Sequence, residues 1–194
     1  MSTAVVSPRA EQLRERVPSR TDRRLERRRL ARQDEVAARL AELHRMRGLL
    51  QQAAVLVSAG WVQNAWFSVV DGRGGAVDLT AHDVDRATEE PVSGACLVGG
   101  IVHAAGGPRT VHSQLVQRTL DLTWHALHED EQAHVRWCPA PPVRAAHVRD
   151  LTRWNDDPRR SVGDVRSLLD RAVRIVDLHI ASGRTSARAL AATV

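Results

Sequence analysis

Cys96 follows Ser93-Gly94-Ala95 and opens a run of small apolar residues, Leu97 to Ala105, that reads as a helix. In the first turn of a helix, the free backbone N–H groups and the positive end of the dipole favour a thiolate, the nucleophilic form of cysteine. A cysteine-dependent hydrolase or transferase also needs a base and a group that orients it. His103, with Asn155 or Asp156, are the candidates for those parts. His103 stands seven residues after Cys96, which is about 10 Å along a helix axis and too far for direct proton transfer. The competing reading of Cys96 is a small buried thiol among Ala, Val and Gly.

A second group could hold a metal. His125 and His128 are separated by one helical turn, and His134 and Cys138 follow within the next ten residues. His125, His128 and His134 are therefore candidate ligands, but the order matches no His-Glu-x-x-His helix and fixes no set of four. The competing reading is a polar helix end. His112, His147 and His179 are isolated and support no site.

A third is Trp154-Asn155-Asp156, placed just before the last long helical pattern. As a ligand pocket, Trp154 would form a floor, with Asn155 and Asp156 presenting polar groups and Trp61 and Trp66 adding aromatic walls. As structure alone, Asn and Asp at this place fold back on the backbone as turn and cap groups. Their position immediately before Ser161-Val162-Gly163-Asp164, the spacing of a capping box, makes turning the chain the leading expectation.

The fourth is electrostatic. The formal net charge is +5, yet residues 1–32 hold ten Arg against Glu11, Glu15, Asp22 and Glu26, so the remainder is nearly neutral. Arg20, Arg23, Arg24, Arg27, Arg28 and Arg29 form its dense part and could track a phosphate backbone. No aromatic residue interleaves with them to stack bases, and a solvated helix with local Glu pairing is the alternative. No Lys and no Tyr occur in the chain, a pattern of G+C-rich coding, although arginine still presents its planar fork to phosphate and carboxylate.

These residues need elements to position them. Residues 1–20 lack apolar periodicity and are expected to be disordered. Leu25, Leu30, Val36, Leu40, Leu43, Leu50, Ala54 and Val57 then form a helical stripe, its charged first third extending from the body, with Gly60 ending it in a left-handed conformation. Trp66 to Val70, the turn Asp71 to Gly75 and Ala76 to Leu79 predict one short β-hairpin, whose Trp and Phe content would suit a partner surface. The acidic stretch 80–92 reads as a loop or short helical turn. Ser93 is expected to begin the small-residue helix, and further helices are predicted from near Pro108 to Glu129, from Val143 to Trp154, and from Ser161 to Gly183. The expectation is a mainly α, compact helical domain over residues 34–182, with one hairpin, a basic, partly disordered extension at 1–33 and a frayed tail at 183–194. Two cysteines without Cys-x-x-Cys spacing, no secretory pattern and no long apolar run suggest a reduced cytoplasmic setting away from membranes.

The order Gly60-Trp61, Cys96-Leu97-x-Gly99, Trp154-Asn155-Asp156 and Ser161-x-x-Asp164-Val165 resembles an uncharacterised domain family encoded by actinobacteria and their phages, over roughly residues 45–175. Ser161 stands where Thr is usual there and keeps the capping hydroxyl. Gly100 replaces a more usual Ala, and residues 129–145 form an insertion. The resemblance implies motif boundaries and no activity. The functional expectation is a non-enzymatic accessory or binding protein without a cofactor, whose Arg-rich arm contacts nucleic acid or an acidic protein. The cysteine and metal readings stand as alternatives.

Overall fold

The first helix is set by its cap. In the computed structural model, Ser19 Oγ accepts the N–H of Asp22 and the Asp22 carboxylate accepts the N–H of Ser19, a reciprocal box that starts α1 (Arg20–Ala59). The structure describes residues 19–81, 83, 90–132, 135, 137 and 140–192. The expected disorder of residues 1–18, much of the acidic loop, His134 and Cys138 lie outside the described residues.

After α1 come strands β1 (Phe67–Val70), β2 (Ala76–Leu79) and β3 (Val92–Ala95), then α2 (Leu97–Ala104), a 3-10 turn (Pro108–Thr110), α3 (Gln114–His128), α4 (Pro141–Asn155) and α5 (Val162–Ala192). The architecture is mainly α, with a small antiparallel sheet in the order β2-β1-β3. The hairpin forms as expected: Phe67 faces Leu79 and Val70 faces Ala76, while the Asp71 carboxylate accepts the N–H groups of Arg73 and Gly75 in the turn. β3 is a third strand where the sequence predicted the start of a helix. Phe67 pairs with Ala95 and Ser68 with Gly94 before the register shifts.

Leu97 to Val102 of α2 are apolar on every side and all buried, as a helical stretch without a polar face must be. It packs against α1, where Gly100 lies over Ala53 and Val57, and also against α3 and α4. The core stripe of α1 runs from Leu43 through Met46, Leu50, Ala53 and Val57. Leu25 and Leu30, assigned by sequence to the same stripe, are exposed on the first turns. They lie ahead of the body, and among the described residues nothing apolar covers them.

α1 and α5 pack antiparallel. Arg47 pairs with Asp177 at 3.1 Å, and seven residues earlier in α1 Leu40 packs on Gly183, six residues later in α5. Half-buried positions recur at alternating steps of four and three along both, at Gln33, Val36 and Leu40 and at Gly183, Ala187 and Leu190. Gly183 therefore sits inside a helix that continues to Ala192, and the expected frayed tail is helical over its described part. The glycine admits Leu40, because a Cβ there would approach the Leu40 side chain to 2.8 Å. Since both helices rise equally per residue, α5 ends roughly beside Ala31 and the start of α1 projects beyond it.

Candidate functional site

Asn155, the last residue of α4, is fully buried, and its amide uses every hydrogen-bonding position. Oδ1 accepts from the Trp61 indole N–H at 3.0 Å and from the Leu97 backbone N–H at 3.1 Å. Nδ2 donates to the Val62 carbonyl at 3.1 Å and to the Asp156 carboxylate at 2.9 Å. Asp156 also accepts the N–H of Asn64 at 2.9 Å. Asn64 is the one non-glycine residue with a positive φ among those described, at 58°, a region asparagine tolerates. Gln63 completes the clamp by donating to the carbonyls of Asn155 and Asp157.

The same knot includes Gly60 and Gly99. Gly60 ends α1 as expected, but its backbone is extended, with φ −163°, rather than left-handed. Glycine is needed there for space: a Cβ would lie 2.5 Å from the Ser93 carbonyl oxygen of β3. The approach lets the Gly60 carbonyl accept the N–H of Ala95 at 2.7 Å. At Gly99 a Cβ would fall 2.0 Å from the Trp66 carbonyl oxygen, which accepts the N–H of Cys96. Gly60-Trp61, Cys96-Leu97-x-Gly99 and Trp154-Asn155-Asp156, distant in sequence, thus form one polar joint.

Of the residues nominated for a pocket, Trp61, Asn155 and Asp156 are occupied in this joint. Trp154 is half-buried beneath the Arg160 guanidinium, which lies 4.8 Å from its ring centre. Trp66 is directed elsewhere, into a groove with residues of α3 and α4.

Cys96 is the N-cap of α2 rather than a residue of its first turn, and its sulfur accepts the N–H of Gly99 at 3.3 Å. Burial pushes the thiol up to about 12, outweighing the backbone donors, and the nearby Asp156 charge acts in the same direction. The thiolate expected from the helix dipole is thereby disfavoured. His103 is exposed near the far end of α2, with its ring edge-on to Phe67 at 6.3 Å, so α2 does not bring it to Cys96.

The raised folded pKa has a definite sign. Below about pH 9, the ordinary thiol value, both states are protonated and the contribution is intact; it is lost as pH rises from about 9 through 12, where the unfolded chain ionises first. Cys96→Ser, which keeps a capping oxygen, is expected to flatten the alkaline arm of a stability–pH curve measured by urea unfolding. An unchanged alkaline slope would contradict the burial of this thiol.

His125 is buried while His128 is exposed against the Trp124 ring at 4.7 Å, so one turn of α3 divides the nominated pair between interior and solvent. Among the described residues, no three His, Cys, Asp or Glu side chains are grouped as a metal requires.

A cluster absent from the sequence reading lies between α3 and α4. Asp121, nearly inaccessible, accepts from Arg144 Nε at 3.0 Å and is hydrogen-bonded to His147 Nδ1 at 2.9 Å. The His147 ring stacks on Trp124 at 4.0 Å, and the Trp124 indole donates to Asp150. The available sequence signal was Asp121 between Leu120 and Leu122 on a buried face, since an interior carboxylate must have partners.

The model of a family of unknown function, DUF6197, matches residues 41–175, more than half the chain. The chain belongs to this family. No curated protein and no solved structure matches it. Within the DUF6197 match fall the whole Asn155 joint and the Asp121–Arg144–His147 cluster, whereas the arginines of residues 20–32 precede it. Among the described residues, no helix is long and apolar enough to cross a membrane.

Proposed function

We propose that this DUF6197 chain is a non-enzymatic binding protein that engages nucleic acid through the start of α1. The observation that carries the reading is the position of six arginines, at 20, 23, 24, 27, 28 and 29, on the part of α1 that projects past α5, where residues 19–28 are all exposed. Arginines near a helix N-terminus face the positive end of the dipole, an arrangement that costs stability and that a bound polyanion would relieve. Among the described residues of the projecting segment the acids are Asp22 and Glu26, and Glu26 lies 3.9 Å from Arg29.

An acidic protein is the second partner class consistent with this charge, but Arg20, Arg23, Arg24, Arg27 and Arg28 recur at helical spacing along one face, with the exposed Leu25 and Leu30 off it, which suits a uniform phosphate backbone better. The Asn155 joint, on this reading, is the framework shared with actinobacterial and phage relatives that carry the same three motifs, and the arm is the interaction element. A cytoplasmic setting accords with the composition.

The test is fluorescence anisotropy of a labelled 20-base-pair DNA duplex with the full chain and with a variant in which Arg20, Arg23, Arg24, Arg27 and Arg28 are Gln. Glutamine has nearly the helix propensity of arginine, so α1 is retained. The expected result is micromolar or weaker binding that falls by at least about tenfold in the variant. Equal affinity of the two chains would overturn the reading.

A further inference from the structure

The groove that receives Trp66 has a chemistry of its own, independent of the arm. It encloses about 500 Å³ between the start of α3, the start of α4 and the sheet, within the range of small-molecule sites, roughly 300–1,000 Å³. Trp66, Val111 and Val148 supply apolar walls, Arg144 and Arg149 supply charge, and among the described residues no carboxylate lines it.

Arg144 is held in place from behind. Its Nε is committed to the buried Asp121, which His147 fixes from the other side, so the guanidinium is held in one orientation at the groove wall. Asp121 balances the charge of Arg144. Arg149 makes no ion pair among the described residues, so the groove carries one uncompensated positive charge.

The geometry points to a binding site for a small organic acid with a flat apolar body, in which a single carboxylate meets Arg144 and Arg149 and the body lies against Trp66 and the valines. The planar fork of arginine matches carboxylate, the one uncompensated charge matches a monoanion, and the apolar walls favour an organic acid over inorganic phosphate.

The probe is 2-naphthoate, titrated calorimetrically into the full chain, with the neutral 2-naphthamide and inorganic phosphate as comparators. Naphthoate is expected to bind at least about tenfold more tightly than naphthamide or phosphate, and Arg149→Gln to lose about tenfold, the scale of one charge-assisted contact. Arg144→Gln is expected to lose as much. If it fails to fold for want of the Asp121 partner, Arg149→Gln, on an exposed side chain, decides the matter. The five-arginine arm variant should bind naphthoate as the parent chain does, which separates this site from the nucleic-acid reading. Equal affinity for naphthoate and naphthamide, phosphate binding as tight as naphthoate, parental affinity in Arg149→Gln, loss in the arm variant, or no naphthoate binding at all would each overturn the assignment.

Discussion

Asn155→Ala is expected to destabilise the fold by about 3–5 kcal/mol, because it strands several buried groups at once. The Trp61 indole N–H and the Leu97 N–H lose their acceptor, the Val62 carbonyl loses its donor, and Asp156 loses one of its two partners. Each stranded group costs about 1–3 kcal/mol, and the costs do not add fully because a relaxed joint can re-pair some of them. Asn155→Asp is not a mild alternative. It keeps an acceptor but removes the donor to Val62 and places a carboxylate against Asp156. Trp61→Phe removes one hydrogen bond and leaves the amide with three partners, so it should cost about 1–2 kcal/mol. Urea unfolding followed by circular dichroism provides the check. A loss under about 1 kcal/mol for Asn155→Ala would show that the joint does not hold the fold.

Gly99→Ala is the second large effect. A Cβ placed 2.0 Å from the Trp66 carbonyl oxygen meets backbone, which has no rotamer by which to withdraw. Either α2 or the start of β1 must move, which would also loosen the Cys96–Trp66 hydrogen bond, and the expected cost is about 3 kcal/mol or more. Gly48→Ala is the contrast within the same chain: it lies inside α1 with nothing within 4 Å of its Cβ position, and it should stabilise by about 0.5–1 kcal/mol through helix propensity and a less flexible unfolded state. Opposite shifts in urea midpoint for the two glycines are the outcome expected. A neutral Gly99→Ala would contradict the close approach on which the joint depends.

The helices were legible because their apolar residues recur at the helical period, and Val165 to Ile180 of α5 are buried much as that period requires. β3 was not, because Ser93-Gly94-Ala95 carries no strand propensity beyond Val92; these residues are small so that β1 and Gly60 can lie against them, a tertiary demand that resembles a helix start in the sequence. Gly60 does end α1, but with an extended rather than a left-handed backbone, and Gly183 ends nothing. One makes room for Ser93 and the other for Leu40, and glycine chosen for space is indistinguishable locally from glycine chosen for φ.

The Trp154-Asn155-Asp156 corner was singled out by sequence, and its structural role was the leading expectation. Its partners were not visible, because Trp61 and Leu97 come from segments 94 and 58 residues away. The same holds for Asp121 and His147, 26 residues apart, where His147 alone offered no argument. The Arg-rich arm was legible from composition alone, while its projection past α5 depended on the antiparallel register of two helices far apart in the chain.

The most direct test of nucleic-acid binding by the arm is the salt dependence of duplex affinity for the parent chain and the five-arginine variant. The logarithm of the association constant should fall linearly with the logarithm of salt concentration, with a slope shallower by about 0.9 for each arginine that neutralises a phosphate, hence by as much as about 4 to 5 in the variant. Parallel slopes for the two chains would contradict the account, since they would mean that the projecting arginines release no counterions.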